Sequence, residues 1–263
     1  MIEEIREITK KQNLILFIGA GVSATLGLPT WSQLITHISN ELGFDDQLFN
    51  QYGDSLTLAE YYEIQKGRIG ELRSWMDKNW SVSEDHIKKS KTYQYITQLN
   101  SPIIYTTNYD HCLEAAFDTW GKPYKKIVGV DDLVGLKSGE TQIVKFHGDL
   151  ISDDSIVLTE RSYFNRLDFE SPLDIKLRSD MLGKSILFLG YSLSDINIRY
   201  LIFKLDNLWK KSNYSKRPKS FVFLPTPNPI QETILSDRGI HTIIGEEVDK
   251  TNSIEEFLRK LVV

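Results

Sequence analysis

The stretch FIGAGVSATLGLPTW, residues 17–31, is the part of this chain that decides its fold. It overlaps the apolar run Asn13–Ile18, which has the composition of a buried strand. Gly19-Ala20-Gly21 comes directly after that run, and glycine lets the backbone turn sharply and approach a bound group closely. A helix that begins there would point its free N–H groups and the positive end of its dipole at a pyrophosphate. The third glycine of the dinucleotide-binding pattern G-x-G-x-x-G is missing, so this block alone fits a strand-to-helix turn without a ligand equally well.

Three further polar blocks each follow an apolar run that is typical of a strand. The pairs of run and block are Ser101–Thr107 with Asn108-Tyr109-Asp110, Thr141–Phe146 with His147-Gly148-Asp149, and Ser185–Leu189 with Gly190-Tyr191-Ser192. In open parallel sheets, ligands bind at the carboxyl ends of the strands. Any single residue here also fits a helix cap or a turn, but the four blocks together predict a nucleotide pocket with a polar reaction centre. The fold class that follows is α/β, with a Rossmann-like, doubly wound and mostly parallel sheet.

The remaining sequence predicts helices and two more strands around this sheet. Residues 45–99 carry little strand signal, so we expect an inserted helical lobe there. Trp31–Leu42 has apolar residues along one helical face, and residues 158–182 form a second predicted helical stretch. Late strands are predicted at Lys219–Leu224 and Gly239–Ile244.

Taken in order, the four blocks resemble the Sir2 (sirtuin-type) NAD-binding domain, and more narrowly the SIR2-like domains of bacterial anti-phage defence. GAGVSATLGLP resembles the sirtuin GAG-x-S…GIP loop, and TTNYD resembles the Q-N-x-D segment. KFHG resembles the strand-end His-Gly, and GYSLSD resembles the later G-[TS]-S phosphate loop. Because the blocks span nearly the whole chain, we expect a single SIR2-like domain over residues 1–263 that binds NAD+.

The resemblance implies a role for each matching residue. Asn108 would orient a water or the ribose, and His147 would contact a ribose hydroxyl and act as a general base. Asp110 would help to hold the nicotinamide carboxamide. Asp195 would brace a loop or contact a ribose, although an acidic residue in the first turn of a helix is an equally good interpretation. The residues expected to cradle the phosphates are Gly19, Ala20, Gly21, Ser23, Gly190 and Ser192.

Two departures from sirtuin deacylases bear on the reaction. Deacylases carry a zinc module with two C-x-x-C pairs, whereas this chain has one cysteine, Cys112, so we expect no zinc module and no metal. Thr30-Trp31 stands where deacylases have Phe-Arg. With no sign of an acyl-lysine groove, we expect water to be the acceptor and the chain to be an NAD+ glycohydrolase. The alternatives are a protein deacylase or ADP-ribosyltransferase, and a non-catalytic module that senses NAD or ADP-ribose.

Composition limits the partners of the chain. Its 36 Asp and Glu against 31 Lys and Arg give no electrostatic footprint for nucleic acid. The sequence predicts neither a signal peptide nor a membrane span, and one cysteine fits a reducing cytoplasm. An enzyme that destroys NAD+ would harm its own cell, so we expect control by homo-oligomerisation or by a separate sensor or regulatory protein.

Overall fold

The fold was analysed in a computed structural model of the 263-residue chain. The structure describes residues 1–151, 155–166, 170–191, 195–211, 217–246 and 249–262.

A sheet of seven parallel strands forms the centre of the molecule, in the order β3-β4-β2-β1-β5-β6-β7. The strands are β1 Leu14–Ile18, β2 Ile103–Thr106, β3 Tyr124–Ile127, β4 Thr141–Lys145, β5 Ser185–Leu189, β6 Ser220–Leu224 and β7 Ile240–Ile244. From β1 the chain first builds one half of the sheet and then crosses to build the other. The predicted doubly wound α/β fold is therefore confirmed, with β1 at the point where the winding direction reverses.

The central strand is buried on both faces because helices cover each side of the sheet. Leu14, Leu16 and Ile18 belong to one apolar cluster, whereas Ile15 and Phe17 belong to a second one. Successive side chains of a strand point to opposite faces, so these two clusters lie on opposite sides of the sheet. This double burial explains why β1 has an uninterrupted apolar sequence.

Within the described residues, fourteen α-helices flank and extend the sheet. They are α1 Ile2–Lys10, α2 Ala20–Ser23, α3 Trp31–Leu42, α4 Asp46–Gln51, α5 Ser55–Lys66, α6 Gly70–Asn79, α7 Glu84–Lys89, α8 Lys91–Gln98, α9 Cys112–Thr119, α10 Glu160–Phe164, α11 Pro172–Gly183, α12 Ile196–Lys211, α13 Pro229–Asp237 and α14 Lys250–Val262. Helices α4 to α8 form the predicted insertion between β1 and β2. No helix within the described residues is both long and apolar enough to cross a bilayer.

Two details of the fold differ from the sequence prediction. The helical stretch predicted over 158–182 consists of two helices, α10 and α11, and Pro172 begins the second one. Strand β3 has the sequence YKKI and was not predicted. It lies at the edge of the sheet with three of its four residues half-buried, so it lacks the apolar run that marks the inner strands.

Candidate active site

The register of the sheet brings four strand ends to one edge. Ile18, the last residue of β1, pairs with Thr106 at the end of β2 and with Leu189 at the end of β5. Thr106 in turn pairs with Lys145, which ends β4. The polar blocks that follow these strands therefore start level with one another, on both sides of the point where the winding reverses.

A cavity of about 750 Å³ lies at this edge, a volume within the usual range for a small-molecule site. Part of its wall is apolar, formed by Leu28, Pro29, Trp31, Leu56 and Trp80. The stacked ring of Tyr109, 5.7 Å from that of Trp80, also lines it.

Most of the residues singled out in the sequence meet at this cavity. Those that line it are Ala20, Gly21, Ser23, Asn108, Asp110, His147, Gly190 and Asp195. Gly19 is not among the lining residues and sits behind the loop, where its N–H donates to the carbonyl of Leu189 at 2.9 Å. Ser192 lies outside the described residues.

The glycines allow the loops after β1 and β5 to pack backbone against backbone. The N–H of Gly21 donates to the carbonyl of Gly190 at 2.8 Å. A Cβ on Gly21 would come within 2.8 Å of that carbonyl oxygen, and one on Gly190 within 2.4 Å of the Val22 nitrogen. Gly190 also has φ +58°, a left-handed conformation that favours glycine. These close contacts hold the start of α2 at the cavity.

A chain of hydrogen bonds fixes the orientation of Asn108. The Ser23 hydroxyl donates to Oδ2 of Asp110 at 2.7 Å, so Ser23 Oγ accepts from Nδ2 of Asn108 at 2.9 Å. One N–H of Nδ2 is engaged in this way, which fixes the amide plane and leaves Oδ1 free to accept a hydrogen bond from a ligand. The other carboxylate oxygen of Asp110, Oδ1, accepts from the Cys112 N–H at 3.0 Å, so Asp110 anchors this chain to the start of α9.

His147 is 2% exposed and has a polar neighbour at each ring nitrogen. Nε2 lies 3.1 Å from Oδ2 of Asp195, although its N–H direction departs from an ideal hydrogen bond. Nδ1 lies 3.3 Å from the hydroxyl of Tyr163, and the two rings meet edge to face at 5.0 Å. The imidazole is therefore held between a carboxylate and a phenol.

Asp195 serves the fold and the site together. Its Oδ1 accepts from the N–H groups of Asn197 and Ile198 at 2.9 and 3.1 Å, which caps the start of α12. Burial raises the pKa of Asp195, but the neighbouring His147 and the two backbone N–H groups outweigh burial and bring it below its ordinary value. The carboxylate is thus charged where it faces His147, and both interpretations made from the sequence, a helix acid and a contact in the site, fit this geometry.

A buried ion pair between Lys145 and Glu114 contacts the backbone of Asp110. The Lys145 ammonium is 1% exposed; it donates to the Asp110 carbonyl and lies 3.6 Å from Oε1 of Glu114. Burial raises the pKa of Glu114, but the charges of Lys145 and His111 outweigh this effect and lower it to about 2. Glu114 therefore stays ionised and keeps the buried lysine compensated.

Ligand atoms of His111, Glu114 and Asp149 all lie within 4.8 Å of one another, as metal ligands would. Both carboxylates, however, already face an ammonium group. Lys126 Nζ is 2.8 Å from Asp149 Oδ2, and Lys145 lies beside Glu114. A divalent cation would have to compete with two lysines, so this donor set fits an internal ion-pair network better than a metal centre.

Three residues of the site were not recognised as functional from the sequence. Tyr163 appeared only as an apolar position of a predicted helix. Tyr191 was quoted within a motif but given no role; its ring packs 5.1 Å from that of Phe17, and its buried hydroxyl has no hydrogen-bond partner among the described residues. Arg199 is the only lysine or arginine among the described residues that line the cavity.

Comparison with protein families finds one matching profile, described as a SIR2-like domain. It matches residues 102–243, which include β2 to β6 and most of β7. The match takes in Asn108, His147 and Asp195, and it covers more than half of the chain.

Several curated proteins with similar sequences are named as NAD(+) hydrolases. NAD(+) hydrolase ThsA of Acinetobacter baumannii (strain 532279) is 29% identical over 206 residues, which cover 78% of this chain and 42% of that protein. ThsA of Bacillus cereus (strain MSX-D12) is 27% identical over 216 residues, with 79% and 43% covered. Defense-associated sirtuin 2 of Bacillus subtilis is 27% identical over 265 residues, covering 97% of this chain and 25% of that protein. The chain thus spans less than half the length of these relatives.

Solved structures of Sir2 proteins share the fold. A mutant Sir2 homologue in complex with ADP-ribose superposes with a TM-score of 0.55 at 14% identity, covering 99% of this chain and 96% of that one. A Sir2 homologue in complex with NAD gives a TM-score of 0.50 at 13% identity, covering 98% and 93%. At these identities the similarity establishes the architecture of the sheet and its helices.

Proposed function

The chain belongs to the SIR2-like domain family, and from this premise we propose that it is an NAD+ hydrolase that releases nicotinamide and ADP-ribose. The observation that carries the proposal is the placement of Asn108 and of His147, held by Asp195 and Tyr163, in one cavity beside the glycine loop. The names of the ThsA relatives support NAD+ as the substrate.

The chemistry asked of the site is cleavage of the bond between nicotinamide and ribose. As that bond breaks, positive charge develops on the ribose carbon and nicotinamide leaves as a neutral molecule. Oδ1 of Asn108 is oriented by the hydrogen-bond chain through Ser23 to Asp110, so it can position a water or a ribose hydroxyl without reorganisation. His147 supplies the group that accepts a proton from the nucleophile.

The same cavity offers groups suited to the rest of the dinucleotide. The start of α2 and the backbone around Gly21 and Gly190 face it, and Arg199 adds a positive charge. We assign the pyrophosphate to this part of the wall, with Ala20, Ser23 and the neighbouring Gly19 completing the loop. Asp110 keeps a free lone pair on each carboxylate oxygen, so it can both anchor Ser23 and hold the nicotinamide carboxamide.

Water is the proposed acceptor because the chain lacks the cysteines of the deacylase zinc module and the Phe-Arg pair. We also propose that the reaction proceeds without a metal, since the one described group of metal-type ligands is already neutralised by lysines. The domain is proposed to extend over residues 1–263, since helices at both ends pack on the sheet core.

We further propose that the protein acts in the cytoplasm as an NAD-depleting effector of anti-phage defence. The name of the Bacillus subtilis relative supports the defence role. Self-association or a separate sensor protein would keep the activity in check. Sedimentation velocity over a dilution series, with nicotinamide release followed in the same samples, tests this control. A monomer that is fully active alone would contradict it.

Product analysis tests the reaction itself. Purified protein is incubated with NAD+ with and without an acetylated peptide, and the products are separated by liquid chromatography. We expect nicotinamide and free ADP-ribose in equal amounts, independent of the peptide. Products that require the peptide would assign the chain to the transferases. Binding of NAD+ without any turnover would instead support the sensing module.

A further inference from the structure

We propose that Tyr163 is a catalytic residue of this site and relays the proton of the attacking water to Nδ1 of His147. The inference rests on the proposed hydrolysis of NAD+ and assigns its proton path. Tyr163 lies on α10, is 5% exposed and lines the same cavity as Asn108. It comes 16 residues after His147 in the sequence, and the fold brings its hydroxyl to the imidazole ring.

One nitrogen of His147 is unavailable as a base. Nε2 faces Oδ2 of Asp195 at 3.1 Å, and an ionised carboxylate can only accept hydrogen bonds. The negative charge of Asp195 therefore favours the tautomer that carries its hydrogen on Nε2. In that neutral tautomer the lone pair resides on Nδ1, the nitrogen that faces the Tyr163 hydroxyl.

The other nitrogen is reached through Tyr163. Its hydroxyl lies 3.3 Å from Nδ1, and because Nδ1 holds the lone pair, the O–H is the donor. Tyr163 also lines the cavity, and its phenol oxygen keeps a lone pair that can accept a further hydrogen bond. In this arrangement a proton leaving a water or a ribose hydroxyl in the cavity reaches His147 by way of the Tyr163 oxygen.

The step balances without a further reactant. The water oxygen forms a bond to the anomeric carbon of the ribose as the bond from that carbon to nicotinamide breaks, and the electron pair departs with neutral nicotinamide. The proton of the water passes to the Tyr163 oxygen while the phenol proton passes to Nδ1. Tyr163 ends the step as it began, and the imidazolium is paired with Asp195 until it returns the proton to solvent.

The surroundings of Tyr163 suit this task. Burial raises the pKa of Tyr163 well above its ordinary value, so the phenol stays protonated and passes a proton through without resting as a phenolate. Its helix is held in place from two sides. Thr159 and Ser162 form a capping box at the start of α10, and the Arg161 N–H donates to Oε2 of Glu60 on α5 at 2.8 Å. A relay needs such fixed geometry.

Replacing the hydroxyl alone tests the relay. Tyr163→Phe keeps the ring against His147 and removes the O–H. We expect kcat to fall by about 100-fold or more, the usual contribution of positioned acid–base groups. The solvent deuterium isotope effect on kcat should fall toward unity, whereas KM and ADP-ribose binding should stay within about threefold of the parent. Tyr105→Phe is the matched control, since this buried phenol likewise contacts a charged or titratable side chain, here the Asp180 carboxylate at 2.8 Å, but lies outside the cavity lining.

The kinetics of Tyr163→Phe test the proton relay separately from the proposed hydrolysis of NAD+. An unchanged kcat in Tyr163→Phe, with activity still dependent on His147, would overturn the relay and leave the hydrolase standing. A lowered kcat with the isotope effect of the parent would reduce Tyr163 to support of the ring and would also overturn the relay. If the parent protein released no nicotinamide at all, the proposed hydrolysis would fail and the relay with it.

Discussion

Arg199 stands among acidic neighbours in the cavity wall. The other charged residues there, leaving His147 aside, are Asp54, Asp110, Glu160 and Asp195. A dinucleotide carries two negative charges on its pyrophosphate, and a wall of carboxylates would repel them. One arginine on the first turn of α12, which also lines the cavity, supplies the opposing charge and can bind a phosphate with two parallel hydrogen bonds.

Arg199→Ala is therefore predicted to weaken substrate binding and to spare the chemical step. We expect KM for NAD+ to rise by about 10-fold, corresponding to the loss of one charge-assisted hydrogen bond, with kcat within about twofold of the parent. Steady-state kinetics of nicotinamide release measures both constants. Lys204→Ala is the control, because this cation lies on the same helix over the Tyr200 ring and does not line the cavity. Equal KM values for the two variants would place the pyrophosphate elsewhere.

Single residues differed in how well the sequence could predict them. Asn108 and His147 come two residues after the ends of buried strands, so their position at the sheet edge follows from local sequence. Tyr163 and Arg199 lie on α10 and α12 and line the cavity from there. Neither has a local signal of function, and Tyr163 has the pattern of an ordinary core position.

At the scale of elements, the site depends on the contact between the loops that follow β1 and β5. Gly190 is the tightest point of that contact, since it combines φ +58° with an approach to the Val22 nitrogen that leaves no room for a Cβ. The start of α2 is held by this contact. A change at Gly190 therefore acts on the stability of the fold and on the phosphate loop together.

Gly190→Ala is predicted to destabilise the protein by about 2 kcal/mol or more. Alanine is strained in the left-handed conformation of this residue, and its Cβ would clash with the backbone of the loop after β1. Gly183→Ala serves as the control; this glycine ends α11, and a Cβ there would meet nothing within 4 Å. That control should stay within about 0.5 kcal/mol of the parent or gain stability. Urea unfolding of the three proteins measures the difference. Similar urea midpoints for Gly190→Ala and Gly183→Ala would show that the loops after β1 and β5 can move apart without loss of stability.

The elements themselves were largely predictable for a physical reason. Strands buried on both faces favour continuous apolar sequence, and β1, β2 and β5 are mainly apolar, whereas β4 has only Ile143 and Val144 at its centre. An edge strand such as β3 has no such requirement and carries lysines, which leaves its sequence without a strand signature.

At the scale of the whole molecule, the double winding of the sheet creates the site. It places the ends of four parallel strands at one edge, and residues of helices α5 and α10 contribute another part of the cavity wall. The sequence could predict the edge because the polar blocks mark it. It could not predict the part of the wall that α5 and α10 form. There, Thr57 of α5 donates to Glu160 of α10 at 3.2 Å, across a sequence separation of 103 residues.

The measurement that tests the account most directly is the rate of nicotinamide release from NAD+ by the parent, Asn108→Ala and His147→Ala, with ADP-ribose binding measured on the same samples. We predict turnover by the parent and a loss of about 100-fold or more in each variant, while both variants still bind ADP-ribose. Nicotinamide release by His147→Ala at the rate of the parent would contradict the assignment of this cavity as the catalytic site.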